Sequence, residues 1–217
     1  MGLLDRLAPR KGNLDVRPQG LTSGSSADPV FATKALHKFL QTLTSRELPV
    51  LLDLGPLVGT NVTYFGEQLG CKIFVEDIFA DLDRHVRDDT LDQLPEFLKK
   101  RFSQREEDSV DGILCWDLID YLDRASAQEL ANQLVRVLRP DGALLGFFGS
   151  APQQDPLYTK FVIVDEQNLR HRSYPALRKR QSGLLNRDII RLFEKLRVAD
   201  SFLLKTNSRE ILFKKPV

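Results

Sequence analysis

Apolar residues follow two alternating spacings along most of this chain. Four short runs, Leu48 to Leu54, Cys71 to Val75, Val110 to Trp116 and Ala143 to Phe148, have the length and apolar density of strands buried on both faces. Between them the apolar positions recur at helical spacing. Asp28-Pro29 reads as a helix start ahead of Phe31, Leu36, Phe39, Leu40 and Leu43, with His37 half-exposed beside that stripe. Thr60 or Asn61 can cap a helix through Val62, Phe65 and Leu69 that Gly70 stops. Further helices follow Ile78, Leu82 and Val86, then Leu91, Leu94, Phe97, Leu98 and Phe102. Ser126 with Glu129 forms a capping box before Leu130, Leu134 and Leu138. Strand and helix alternate four times, which predicts an α/β, three-layer sandwich: a mostly parallel, twisted sheet with helices on both faces and right-handed crossovers.

After Gly149 the pattern changes. Phe161 to Val164 and Leu169 to Ser173 flank Asp165-Glu166-Gln167-Asn168 as an antiparallel hairpin. Asn186 caps a helix through Ile189, Ile190, Phe193 and Leu196. A second hairpin, Val198 to Lys205 and Glu210 to Lys214, turns at Asn207-Ser208, so antiparallel strands close one edge of the sheet. Residues 1–27, rich in Gly, Ser and Pro without periodicity, read as a flexible tail. The expected organisation is one domain over 28–217, with a basic insertion at about 150–185.

Composition narrows the classes. Of 217 residues, 42% are hydrophobic and 28% charged, which suits one soluble core. No apolar run approaches a membrane span, and the N-terminus lacks a secretory pattern, so the expected location is cytoplasmic. Cys71 and Cys115 sit in apolar runs and read as core residues; no metal site is expected. The net charge of +1 excludes a uniformly basic nucleic-acid binder. It is nonetheless a cancellation. Glu106 to Asp123 holds seven acids and no Lys or Arg, whereas Asn168 to Arg191 holds Arg170, Arg172, Arg178, Lys179, Arg180, Arg187 and Arg191 against Asp188 only. That basic stretch, with His171 and Tyr174, either neutralises the acidic segment or meets a phosphate-bearing or nucleic-acid substrate.

The strongest chemical constellation is Leu51-Leu52-Asp53-Leu54-Gly55-Pro56-Leu57-Val58-Gly59, followed by Glu76-Asp77 at the end of the next strand. In open α/β sheets, ligands collect at the carboxyl ends of strands where the strand order reverses. Glycines there admit a ligand to the backbone, and a terminal acid can hold a ribose. G-x-G-x-x-G is absent, which with the closing hairpin disfavours a nicotinamide oxidoreductase.

These residues, with Val110 through Leu122 and Leu138-Arg139-Pro140-Asp141-Gly142-Ala143-Leu144, resemble four ordered motifs of class I S-adenosylmethionine-dependent methyltransferases. The resemblance spans roughly residues 30–149 and 186–215. It implies a Rossmann-like methyltransferase fold and S-adenosylmethionine as cofactor. Gly55 and Gly59 would line its methionine end, Asp53 would order the loop, and Glu76 or Asp77 would accept from the ribose hydroxyls. Asp117 would face the methyl-transfer site. Tyr121, Arg170, Arg172 and Tyr174 are candidate contacts for a small-molecule or phosphate-bearing acceptor. No Asp/Asn-Pro-Pro-aromatic motif or Pro-Cys pair points to DNA bases. Two departures stand out: Leu57 replaces the family's middle glycine, leaving it to fill the pocket or push the loop outward, and the family's third strand reads as shortened or absent. The alternative is therefore an inactive methyltransferase-fold binding or scaffold protein.

Overall fold

The computed structural model describes residues 28–149, 155–181, 184–205 and 207–217; the expected tail lies outside them. Strands β2 (Val50–Asp53), β3 (Lys72–Val75), β4 (Val110–Trp116) and β5 (Leu138–Gly149) pair in parallel, and β8 (Arg197–Leu203) and β9 (Ser208–Lys214) join antiparallel through β9 against β5. The order β3-β2-β4-β5-β9-β8 puts β3 at an edge, so among the described residues no strand stands where the family's third would.

Period-two alternation distributes the strand side chains to two cores. Leu52, Leu54, Ile113, Cys115 and Leu144 face α3 (Ile78–Arg87), α4 (Leu94–Ser103), α5 (Arg124–Val137) and α6 (Asn186–Leu192). Leu51, Leu114, Leu145 and Phe147 face α1 (Leu36–Thr44) and a second, three-stranded sheet. Both cysteines are buried and free.

That second sheet is the main topological surprise. The hairpin of β6 (Leu157–Asp165) and β7 (Asn168–Pro175) pairs not with the central sheet but with β1 (Val30–Ala32), in the order β1-β7-β6. Phe31 therefore belongs to a strand, and the expected helix start at Asp28-Pro29 is corrected: α1 begins at Leu36 and has no side-chain cap of its own. Glu210 on β9, fully buried, caps it from across the molecule. Its carboxylate accepts from the Lys34 and Ala35 amides at 2.8 and 3.1 Å and from the Thr33 hydroxyl.

Three other local expectations shift for similar reasons. Asp123, not Ser126, caps α5, taking the Ser126 amide at 2.9 Å. Neither Thr60 nor Asn61 caps α2 (Gly59–Thr63), which runs into a π-helical turn at Tyr64–Gln68; Val62 is exposed, and Asn61 takes its place inside. Asn186 likewise makes no cap for α6.

Candidate functional site

The chain passes from β2 to β3 on one side and returns to β4 on the other, so the strand order reverses between β2 and β4. Their carboxyl ends are the crevice where a ligand is expected in such a sheet. Here one contact spans that crevice: the Trp116 indole N–H donates to Asp53 Oδ1 at 2.6 Å. The Gly55 amide donates to the same oxygen at 2.9 Å. Asp53 is 5% exposed, and burial pushes its carboxyl up to about 6 against the pull of these two donors.

Trp116 is held from several sides. Its backbone is left-handed, at φ +50°. Its ring stacks on Phe161 of β6, 5.0 Å between centroids and 3° from parallel, and on Phe147 at 6.2 Å. Gly55 fits beneath it only because it lacks a side chain: a Cβ there would stand 2.7 Å from the indole. Gly55 is buried under the protein's own ring. Gly59, by contrast, has open space around its α-carbon. Leu57 neither fills the pocket nor meets Trp116; it is 65% exposed on the outside of the loop.

The two acids at the end of β3 have separate fates. Glu76 receives Arg101 and Arg105 of α4 and the turn after it, each at 2.7 Å. Asp77 caps α3, accepting from the Ala80 amide at 3.0 Å. Asn61 ties the helix after the glycine loop to the roof hairpin. Its side chain donates to the Phe161 carbonyl at 2.8 Å and accepts from the Ile163 amide at 2.9 Å.

Past β4, Asp117 and Asp120 are 2% and 3% exposed and share one cation. Arg180 lies 3.2 Å from Asp117 Oδ2 and 3.2 Å from Asp120 Oδ2, with its guanidinium over the Tyr121 ring. Gly149 makes room for it, since a Cβ there would stand 2.1 Å from the guanidinium. Burial pushes Asp117 up to about 6 and Asp120 to about 7, even with Arg180 opposing. Among the described residues, Oδ1 of each carboxylate has no hydrogen-bond partner.

Of the candidate acceptor contacts, Tyr121 is fully buried and donates to the Leu157 carbonyl at 2.8 Å. Tyr174 packs on Tyr158. Arg172 donates to Asp28 at 2.8 Å and shares its face of β7 with Arg170. The basic residue that reaches Asp117 is Arg180 of the insertion, which is not among the candidate contacts named from the sequence. The available signal was electrostatic: an acidic segment with no cation of its own, running into a buried strand, requires one from a distance.

Residues 52–146 match the family model described as a methyltransferase domain. No curated protein matches the chain. Among solved structures it is similar to 1,6-didemethyltoxoflavin-N1-methyltransferase of Burkholderia thailandensis, with S-adenosylhomocysteine bound. The identity is 14% over 84% of this chain and 79% of that one, with a TM-score of 0.47. It is also similar to the PH0226 protein of Pyrococcus horikoshii (16%, 84% and 92%, 0.48) and to a glycopeptide N-methyltransferase in complex with S-adenosylmethionine (13%, 83% and 92%, 0.43). Among the described residues no helix is long and apolar enough to cross a membrane. The similarity to a methyltransferase domain therefore covers Leu52 of β2 through Gly146 of β5, the segment that carries Asp53, Gly55, Gly59, Glu76, Asp77 and Asp117.

Proposed function

We propose that the chain is an S-adenosylmethionine-dependent methyltransferase acting on an acceptor received at the carboxyl ends of β4 and β5. The observation that supports this reading is the placement of Asp53, Glu76, Asp77 and Asp117 at the carboxyl ends of three adjacent strands, inside the segment that matches a methyltransferase domain. The cofactor supplies an activated methyl group when bound, so the protein's share of the work is placement. Asp77 and Glu76 are acceptor-only groups suited to ribose hydroxyls, and the backbone at Gly59 is open. The methionine end does not fit as described, because the Trp116 ring covers Gly55. Binding of that end requires Trp116 to leave Asp53.

A second reading, a methyltransferase-fold binding protein that has filled its own cofactor site, is favoured by the Trp116–Asp53 hydrogen bond and by the double pairing of Glu76. Calorimetric titration with S-adenosylmethionine and S-adenosylhomocysteine separates the two. Saturable binding by the unaltered chain supports methyl transfer. Binding that appears only in Trp116→Ala, or in neither protein, supports the second reading.

A further inference from the structure

A groove opens between α1 and the paired strands β8 and β9, with a volume of about 470 Å³, within the range of small-molecule sites. It lies toward the other end of the central sheet from Asp53 and Asp117. Lys214 of the groove stands opposite Ala143, where the apolar run of β5 begins, whereas Ser208 stands opposite Gly149 at the carboxyl end.

The strand pleat fixes which side chains turn toward α1. Leu212 and Lys214 are two apart on β9 and share a face, the one whose Leu212 and Ala143 pack in the core beneath α1. Arg197 is the register partner of Lys214, and Asp200 that of Leu212, so both join that face. The helix meets them there, since Lys38 of α1 forms an ion pair with Asp200.

Charge in the groove is unbalanced. Lys38, Arg197 and Lys214 stand against Asp200 alone among its lining residues, and Asp200 is engaged by Lys38. Arg197 and Lys214 make no ion pair among the described residues, although they are direct cross-strand partners. Such partners hold their Cβ atoms roughly 5 Å apart, and like charges so placed destabilise a sheet. No acid of α1 relieves them, because the helix has none. Thr42 and Ser45 donate their hydroxyl protons to the carbonyls of Lys38 and Thr42, so the donors left for a ligand are the two strand cations. A ligand that neutralises both carries more than one negative charge. A phosphate monoester bears about −1.5 to −2 at neutral pH, and a planar guanidinium grips two of its oxygens at once.

We propose that this groove binds a small phosphate monoester, with the phosphate held between Arg197 and Lys214 and Lys38 on the helix side. The site does not involve Asp53 or Gly55, so the proposal stands whether or not S-adenosylmethionine binds.

Titration calorimetry on the full chain tests it, with glycerol 3-phosphate and inorganic phosphate as probes and acetate and glycerol as controls. Both phosphates bind with one-to-one stoichiometry, acetate binds about tenfold more weakly, and glycerol gives no heat. Arg197→Gln with Lys214→Gln lowers the affinity for glycerol 3-phosphate by about tenfold or more. Lys99→Gln with Lys100→Gln, an equal loss of charge at exposed positions of α4, leaves it unchanged. The first pair also removes the cross-strand repulsion, so its melting temperature is not lowered and the lost binding is not lost folding. Arg197→Gln alone, at an exposed position, lowers the affinity severalfold. Absence of saturable heat with both phosphates at millimolar concentration overturns the proposal. So do equal losses in the two double variants, which would mark general charge screening, or an affinity for acetate equal to that for the phosphates.

Discussion

Trp116 combines a left-handed backbone, disfavoured for any residue with a side chain, with an indole N–H 2.6 Å from a buried carboxylate. The hydrogen bond and the stacking on Phe161 offset that backbone. Trp116→Phe separates the two contributions, because the ring stays and the donor goes. Asp53 then keeps only the Gly55 amide, and its ionised form loses roughly 1–3 kcal/mol of support. The sign with pH follows from its raised carboxyl, at about 6 against 3.8. The folded state holds this proton more tightly than the unfolded one, so Asp53 stabilises the fold below pH 4 and progressively less as pH rises through 6. Urea unfolding should show the full Trp116→Phe loss at pH 8 and a smaller one at pH 5, where Asp53 is largely protonated. An equal loss at both pH values would assign it to packing instead. Trp116 was legible as the end of a buried strand; its grip on Asp53 was not, because a contact between residues 63 positions apart leaves no mark in local spacing.

At the scale of elements, Asn61 couples the two sheets. It sits on a short helix with no side-chain cap, and both polar ends of its amide serve the backbone of β6. Asn61→Ala leaves a buried carbonyl and a buried amide unpaired, at a cost of roughly 1–3 kcal/mol. Amide hydrogen exchange at Ile163 should accelerate, while that at Leu114 in β4 follows only the global loss of stability. Uniform acceleration across both would show that the small sheet does not open by itself. The parallel strands and the helices on them were legible because burial on both faces imposes continuous apolar runs, and β4 keeps the bounds read from Val110 to Trp116. Elements defined by pairing rather than period were not. Val30–Ala32 is a strand only because β7 lies beside it, and α1 ends its loop on a carboxylate from β9. Helical spacing at Phe31, Leu36 and Phe39 carried neither fact.

Across the whole molecule, the near-zero net charge is partly internal: the basic segment after β7 sends Arg180 into the acidic segment after β4. Arg180→Ala removes the one cation that Asp117 and Asp120 share. Breaking a buried pair in this way costs roughly 3–5 kcal/mol when the acids are ionised. In the unaltered chain both carboxyls are already raised by burial, to about 6 and about 7, so their contribution to stability declines as pH rises from 4 to 7. Without Arg180 they rise further, and protonation relieves most of the loss at low pH. The expected melting curves therefore diverge above pH 7 and converge toward pH 5. His171, pressed against Phe31 and Phe161 and lowered by burial to about 4, works in the other direction. Its contribution is present above pH 6.5 and is lost as pH falls through 4. That acid-side loss is common to parent and variant and cancels in their difference. A melting-temperature difference that stays constant from pH 5 to pH 8 would mean that the acid pair is neutral throughout. The arginine would then act by packing against Tyr121.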